Sequence, residues 1–282
     1  MAFEKDRPGR LAVPDEQPPG HSGATGVPDR LVLDGRMVAY EPGWLPPDAR
    51  EVGRAAADGR AARTFVVPGH AGHLWIHTGI GLAEPAGVPG VPVQVAGRPG
   101  EMVDHGPLHT IWWLWREGVT GTVSVAGPGW DEVALLVAES FAPIRPIPVG
   151  VPFEVPGCAS RSMDGERGAD GTVTWTAVAG LGEVDVVLTA GRDWLRADSD
   201  HVLTVGGRPA WYGPLEGGGF AAIGTGPRVL AVDLGGGVQL ALVVLDVRVG
   251  PDLAGLIRLA EQIQAQVRAA SPDVSWIGAA LR

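Results

Sequence analysis

Short apolar runs separated by glycine-rich turns recur along this chain, and such runs predict β-strands. One predicted pair joins Thr64 to Val67 with His73 to Thr78, and another joins Val173 to Ala177 with Val184 to Thr189. Asp34-Gly35 is a typical hairpin turn and predicts a further hairpin that includes Met37 to Tyr40. The pattern therefore predicts antiparallel sheet.

A stretch of the sequence occurs twice. Val93 to Gly100 matches Leu203 to Ala210 at an offset of 110 residues, and both read as a strand followed by a Gly-Arg-Pro turn. An apolar strand, a Gly-Val turn and a second strand follow each copy, at an offset that has grown to 119. Such self-similarity indicates an internal duplication.

Each copy ends in a segment whose apolar residues have helical spacing. They are Val133, Leu136, Val137 and Phe141 in the first copy, and Leu253, Leu256, Ile257, Ala260 and Ile263 in the second. The sequence therefore predicts an α+β fold of two tandem duplicated units, each an antiparallel sheet with a C-terminal amphipathic helix.

The chain has 282 residues, enough for about two domains. Residues 1–28 are polar and rich in proline and glycine, which predicts a disordered or extended arm. Prolines recur in residues 143–152, which favours a linker over a helix or central strand. The predicted units are residues 29–142 and 153–282.

Composition narrows the class of protein. With 45% hydrophobic residues the chain can bury a core, and its net charge of −10 without a cationic cluster argues against nucleic-acid binding. The single cysteine, Cys158, excludes an intramolecular disulfide. No run reaches the length of a membrane span, and the start lacks a signal peptide, so the sequence as written predicts a cytoplasmic protein. It would be extracytoplasmic if an N-terminal anchor had been removed.

The order of several short motifs resembles a known group of proteins. These motifs are Trp44-Leu45-Pro46-Pro47, Gly97-Arg98-Pro99, Trp112-Trp113-Leu114-Trp115, Gly118-Val119 and the Ala138-Glu139-Ser140 end of a helix. The series is similar to extracytoplasmic domains of actinobacterial membrane-anchored regulators and lipoproteins of unknown function. The resemblance implies a non-enzymatic domain that binds a ligand or partner.

Three histidines lie close together in the sequence and suggest a metal site, because imidazole is a common zinc ligand. His73 and His77 would be about 13 Å apart along a strand, too far for one ion. His70 and His73 can converge if the intervening turn folds back, but no third ligand accompanies them. We predict no metal site and no cofactor, and keep His70 and His73 as candidates.

Asp104, His105 and His109 flank a predicted hairpin loop, where a carboxylate can orient an imidazole for acid–base chemistry. No Gly-x-Ser-x-Gly nucleophile motif is present, and Cys158 has no activating partner nearby in the sequence. Because a carboxylate and imidazoles are present, a hydrolase with a His/Asp site, built on His105 or on His70 and His73, is nevertheless an alternative hypothesis. Ordinary loop polarity is the simpler interpretation.

The densest aromatic group provides the candidate ligand site. Trp113 and Trp115 share one strand face and Trp112 takes the other, and Trp75, on another predicted strand, can extend the group. Such side chains either cover a core or form an aromatic wall for an apolar or sugar ligand.

The sequence thus favours a non-catalytic binding or regulatory protein. Its partner would be a protein or a small apolar ligand, bound through the sheets or through a cleft between the units. A structural subunit that assembles through the arm of residues 1–28, including self-assembly, is an alternative from another class, and the hydrolase is a third.

Overall fold

The computed structural model describes residues 35–69, 73–82, 90–127, 130–191, 201–214, 227–267 and 272–281. Strands make up 57% of these residues and helices 12%. The first nine strands and the first helix are β1 (Met37–Pro42), β2 (Arg50–Ala57), β3 (Arg60–Val67), β4 (Leu74–Gly81), β5 (Val91–Val95), β6 (Arg98–His105), β7 (Leu108–Arg116), β8 (Val119–Ala126), α1 (Trp130–Glu139) and β9 (Phe141–Pro148). The remainder are β10 (Ser160–Arg167), β11 (Val173–Leu181), β12 (Val184–Ala190), β13 (His201–Val205), β14 (Arg208–Pro214), β15 (Arg228–Gly235), β16 (Val238–Val244) and α2 (Leu253–Val267).

Fourteen strands form one antiparallel sheet, and β1 and β9 pair separately. The order in the large sheet is β13-β14-β15-β16-β12-β11-β10-β2-β3-β4-β8-β7-β6-β5. Outward from the central pair, the strands follow the same relative order on both sides. The central pair itself is β2 and β10, whose register runs from Ala57 opposite Ser160 to Gly53 opposite Asp164.

The predicted α+β fold of two tandem duplicated units is therefore wrong. The molecule is mostly β, with two helices among the described residues, and its large sheet continues from one half of the chain into the other. The physical reason is the β2–β10 ladder, which satisfies the backbone groups of two strands that would otherwise be exposed edges.

The segment predicted as a proline-rich linker lies partly in a strand. Residues 143–148 belong to β9, which pairs only with β1. Prolines are tolerated there because each strand of a two-stranded sheet has one side without ladder hydrogen bonds. Residues 1–28, the predicted arm, lie outside the described part of the chain.

Both helices and the β1–β9 layer pack on one face of the large sheet, which we call the covered face. Tyr40 of β1 stacks on Phe141 of β9, with ring centroids 5.0 Å apart. Phe141 makes T-shaped contacts with Trp113 and Trp115 of β7, with ring centroids 4.9 Å and 5.9 Å apart. These contacts join the small sheet to the core of the large one.

A buried ion cluster lies on the covered face beside the central strands. The carboxylate of Glu51, 2% exposed, accepts hydrogen bonds from Arg63 at 2.7 Å and 2.9 Å and from Arg54 at 2.9 Å and 3.0 Å. The guanidinium of Arg54 lies 4.2 Å above the ring of Trp276. The Gly278 amide donates to the Glu51 carbonyl at 2.7 Å. The C-terminal segment is thereby held against β2.

Within the described residues, neither helix has the length and apolar character needed to cross a membrane.

Candidate functional site

A groove of about 610 Å³ lies over the central strands of the large sheet. Its walls come from five neighbouring strands, β10, β2, β3, β4 and β8. The side chains and backbone that line it belong to Ala55, Ala56, Ala57, Arg60, Ala61, Ala62, His77, Gly79, Ile80, Gly81, Thr120, Thr122, Ser160, Arg161 and Ser162. We call the face that carries this groove the open face.

Small residues at every second position create the groove. Because side chains alternate along a strand, Ala55 and Ala57 of β2 share a face with Ala62 of β3 and with Gly79 and Gly81 of β4, as the register shows. The intervening residues Ala56, Ala61 and Ile80 are buried in the core on the covered face. A strip of alanine and glycine thus forms a low floor bordered by longer side chains.

The groove has one cationic end. Arg60 is exposed, and its Cγ lies 3.6 Å from the position that a Cβ on Gly81 would take, so its side chain rises beside the floor. Within the part of the chain that the structure describes, the lining residues include no Asp or Glu. In a chain of net charge −10, this arrangement presents an apolar surface next to a positive charge.

His77 forms part of the groove wall. Its Nδ1 lies 3.1 Å from the Thr64 hydroxyl oxygen, a hydrogen bond across β3 and β4. The imidazole keeps an exposed edge, while the strands around it withdraw the rest of the ring from water and lower its pKa below the usual 6.5. His77 is therefore neutral at pH 7.

We expect an NMR pH titration of the His77 ring, assigned with the His77→Asn variant, to give a midpoint below 6.5. The unfolded chain takes up this proton at a higher pH than the folded protein, so the free energy of unfolding falls as the pH drops below 6.5. A midpoint at or above 6.5 contradicts the placement of His77 in the groove wall.

The structure separates the four predicted ligand-binding tryptophans. Trp75 is 44% exposed on the open face, two residues before His77 on β4. Trp112 is half-buried on the same face, opposite Thr122. Trp113 and Trp115 are 1% and 8% exposed in the core on the covered face. Trp75 and Trp112 thus flank the groove, whereas the other two tryptophans are out of its reach.

Of the two metal candidates, only His73 lies in the described part of the chain. His73 is exposed just before β4, and His70 lies outside the described residues. In the part of the chain that the structure describes, no three His, Cys, Asp or Glu side chains come together as a metal site would require.

The structure brings Asp104 close to His109, whereas the hydrolase hypothesis is built on His105 or on His70 and His73. The buried His109 Nδ1 lies 3.5 Å from the Asp104 carboxylate without a hydrogen bond to it, and the carboxylate accepts a hydrogen bond from the Gly106 amide in a tight turn. The His109 ring stacks on Trp130 with centroids 3.5 Å apart and planes 4° from parallel. These contacts fix the β6–β7 turn to α1. The side chain of His105 lies outside the described part of the chain.

Sequence reasoning missed the groove floor. The available signal was the alternation of small residues, such as Ala55 and Ala57 or Gly79 and Gly81. Each pair lies on a different strand, so the common surface emerges only from the strand order.

The chain matches no protein-family profile and no curated protein sequence. The resemblance to actinobacterial envelope domains therefore stays a prediction.

Proposed function

We propose that this chain is a non-catalytic binding protein whose groove receives an amphipathic helix of a partner protein. The observation that carries the proposal is the alanine and glycine floor across the central strands of the open face. An apolar face of a sheet is buried when a helix packs on it, and small residues let that helix approach the backbone closely.

The covered face shows how this sheet binds helices. Ala134 and Val137 of α1 and Leu256 and Ala260 of α2 are fully buried on it. The floor of the groove offers a partner helix a similar apolar surface, without the large side chains that would hold it away. Trp75, which is exposed beside the groove, adds the aromatic side chain that binding surfaces favour.

Charge further defines the partner. Arg60 rises at one end of the floor, and the described residues that line the groove include no acidic side chain. A partner helix with an Asp or Glu next to its apolar stripe would pair with this guanidinium, while a basic helix would not. The proposed partner is therefore an acidic amphipathic helix, and the role is that of a binding or regulatory protein.

A phage-displayed library of helical peptides, selected on the wild-type chain, tests the proposal. We expect enrichment of amphipathic peptides with acidic residues beside the apolar stripe. Ala62→Trp fills the floor and Arg60→Glu reverses the charge, so each variant should weaken the selected peptides at least about tenfold, a loss of about 1.4 kcal/mol.

Matched controls place the same changes outside the groove. Ala169→Trp lies in the exposed β10–β11 turn and Arg145→Glu on β9, and both should bind the peptides as the wild type does. Peptides that bind all five proteins equally would contradict the proposal. If no peptide is enriched but small apolar dyes bind the wild-type chain, a small apolar ligand is favoured instead. The structural-subunit and hydrolase hypotheses stay predictions.

A further inference from the structure

A second cavity, of about 280 Å³, lies on the covered face between α2 and the outer strands of the second half. Most of its lining is apolar: Pro152, Trp175, Leu188, Leu234, Val238, Val267 and Pro272. The other lining residues are Arg208, Gly235 and Gln264. The cavity is thus an apolar space with two polar side chains.

The polar groups of this cavity are incompletely satisfied. The Nε of Arg208 is buried and has no hydrogen-bond partner among the described residues, while its Nη1 donates to the Leu234 carbonyl. Gln264 is 4% exposed, and its amide donates to the Val205 carbonyl over a long 3.4 Å. Buried donors in native proteins normally have partners, so the guanidinium of Arg208, a residue that lines the cavity, keeps an unused capacity to bind an acceptor.

We infer that this cavity binds a small apolar carboxylic acid. The carboxylate would accept hydrogen bonds from Arg208, a charge-assisted contact that guanidinium geometry favours. The apolar part would lie between Trp175, Leu188 and Val238. At about 30 Å³ for each non-hydrogen atom, the cavity holds about nine or ten such atoms. No Asp or Glu stands among the described residues that line it, so none of these residues competes for the guanidinium.

Arg208 also has a structural role that the test must separate from binding. Val267, the last described residue of α2, also lines the cavity, so the charge of Arg208 lies near the C-terminal turn of this helix and stabilises its partial negative charge. This role predicts lower stability in a variant without the charge. It predicts no preference for carboxylates over other apolar molecules of the same length.

Calorimetric titration of the full chain with octanoate and, separately, with octylamine tests the inference. Wild-type protein should bind octanoate and show no binding of octylammonium at the same concentrations. Arg208→Gln should weaken octanoate binding about tenfold or more, as loss of a hydrogen bond to a charged group does. Arg258→Gln, which removes an exposed charge from helix α2, should leave octanoate binding unchanged.

A second variant keeps the test decisive if Arg208→Gln fails to fold. Val267→Phe fills the cavity without a change of charge and should abolish octanoate binding. Equal binding of octanoate and octylammonium, or octanoate affinity unchanged in Val267→Phe, would overturn the inference, as would no octanoate binding by folded wild type. Ala62→Trp, on the open face, should bind octanoate normally, so this result is independent of the partner-binding groove.

Discussion

Replacing Glu51 with glutamine should lower the free energy of unfolding by about 3–5 kcal/mol. The carboxylate is 2% exposed and accepts hydrogen bonds from the guanidinium groups of Arg54 and Arg63. The amide would leave two guanidinium groups, Arg63 buried and Arg54 partly buried, without a countercharge, which costs more than the wild-type ion cluster contributes. Urea denaturation of the variant and the wild type measures the difference.

The pH dependence of stability provides an independent check on Glu51. Burial by itself raises the pKa of its carboxyl, but hydrogen bonds from Arg54 and Arg63 outweigh burial and hold the pKa below the usual 4.5. The stabilisation is therefore complete above pH 4.5 and is lost as the pH falls through the pKa of the folded protein. The Glu51→Gln variant should lack this component of acid unfolding.

Glu183→Gln, in the exposed β11–β12 turn, is the matched control and should be close to wild type in both measurements. If Glu51→Gln lowers the free energy of unfolding by less than about 1 kcal/mol, the wild-type carboxylate is exposed to water and the ion cluster is not closed as described.

Trp113→Ala should destabilise the protein by about 3–5 kcal/mol, the range for removing a large buried aromatic side chain. Trp113 is 1% exposed, and its ring makes a T-shaped contact with Phe141 on β9. The loss should appear as a lower denaturant midpoint with an unchanged slope. Trp112→Ala, on the open face of the same strand, is the control and should cost less because that side chain is half-buried.

Gly121 reports on the same packing. A Cβ at this position would lie 2.6 Å from the Trp113 ring, so Gly121→Ala should cost about 1–3 kcal/mol by overpacking. The same change made in a Trp113→Leu background should cost much less, because the ring that collides is gone. Equal costs in the two backgrounds would show that Trp113 does not pack against this glycine.

Periodicity predicted those elements whose own sequence carries a strong pattern. The helix predicted around Val133 is α1, but it ends at Glu139, and Phe141, which was predicted to share its apolar face, begins β9 instead. The strand predicted to carry Trp112, Trp113 and Trp115 is β7. The opposite orientations of Trp112 and Trp113 are also confirmed, because alternation along a strand depends on sequence alone. Which of the two faces is the core depends on what packs there, and the sequence does not contain that information locally.

The strands that were missed explain the error in fold class. β2 contains Ala55, Ala56 and Ala57, and β10 is the polar sequence from Ser160 to Arg167, so neither resembles an isolated β-strand. Their conformation is fixed by pairing with each other and with β3 and β11. Because these two strands carry the groove and join the halves, both the continuous sheet and the groove were invisible to local patterns.

The attachment of the C-terminal segment to β2 has a consequence for synthesis on the ribosome. Trp276, Gly278 and Ala280 contact Arg54, Glu51 and Arg50, residues that are made more than two hundred positions earlier. The nascent chain must therefore keep the covered side of β2 incomplete until residues 276–280 have emerged. This attachment forms late in the synthesis of residues 35–281, and until then the central strands need protection from aggregation.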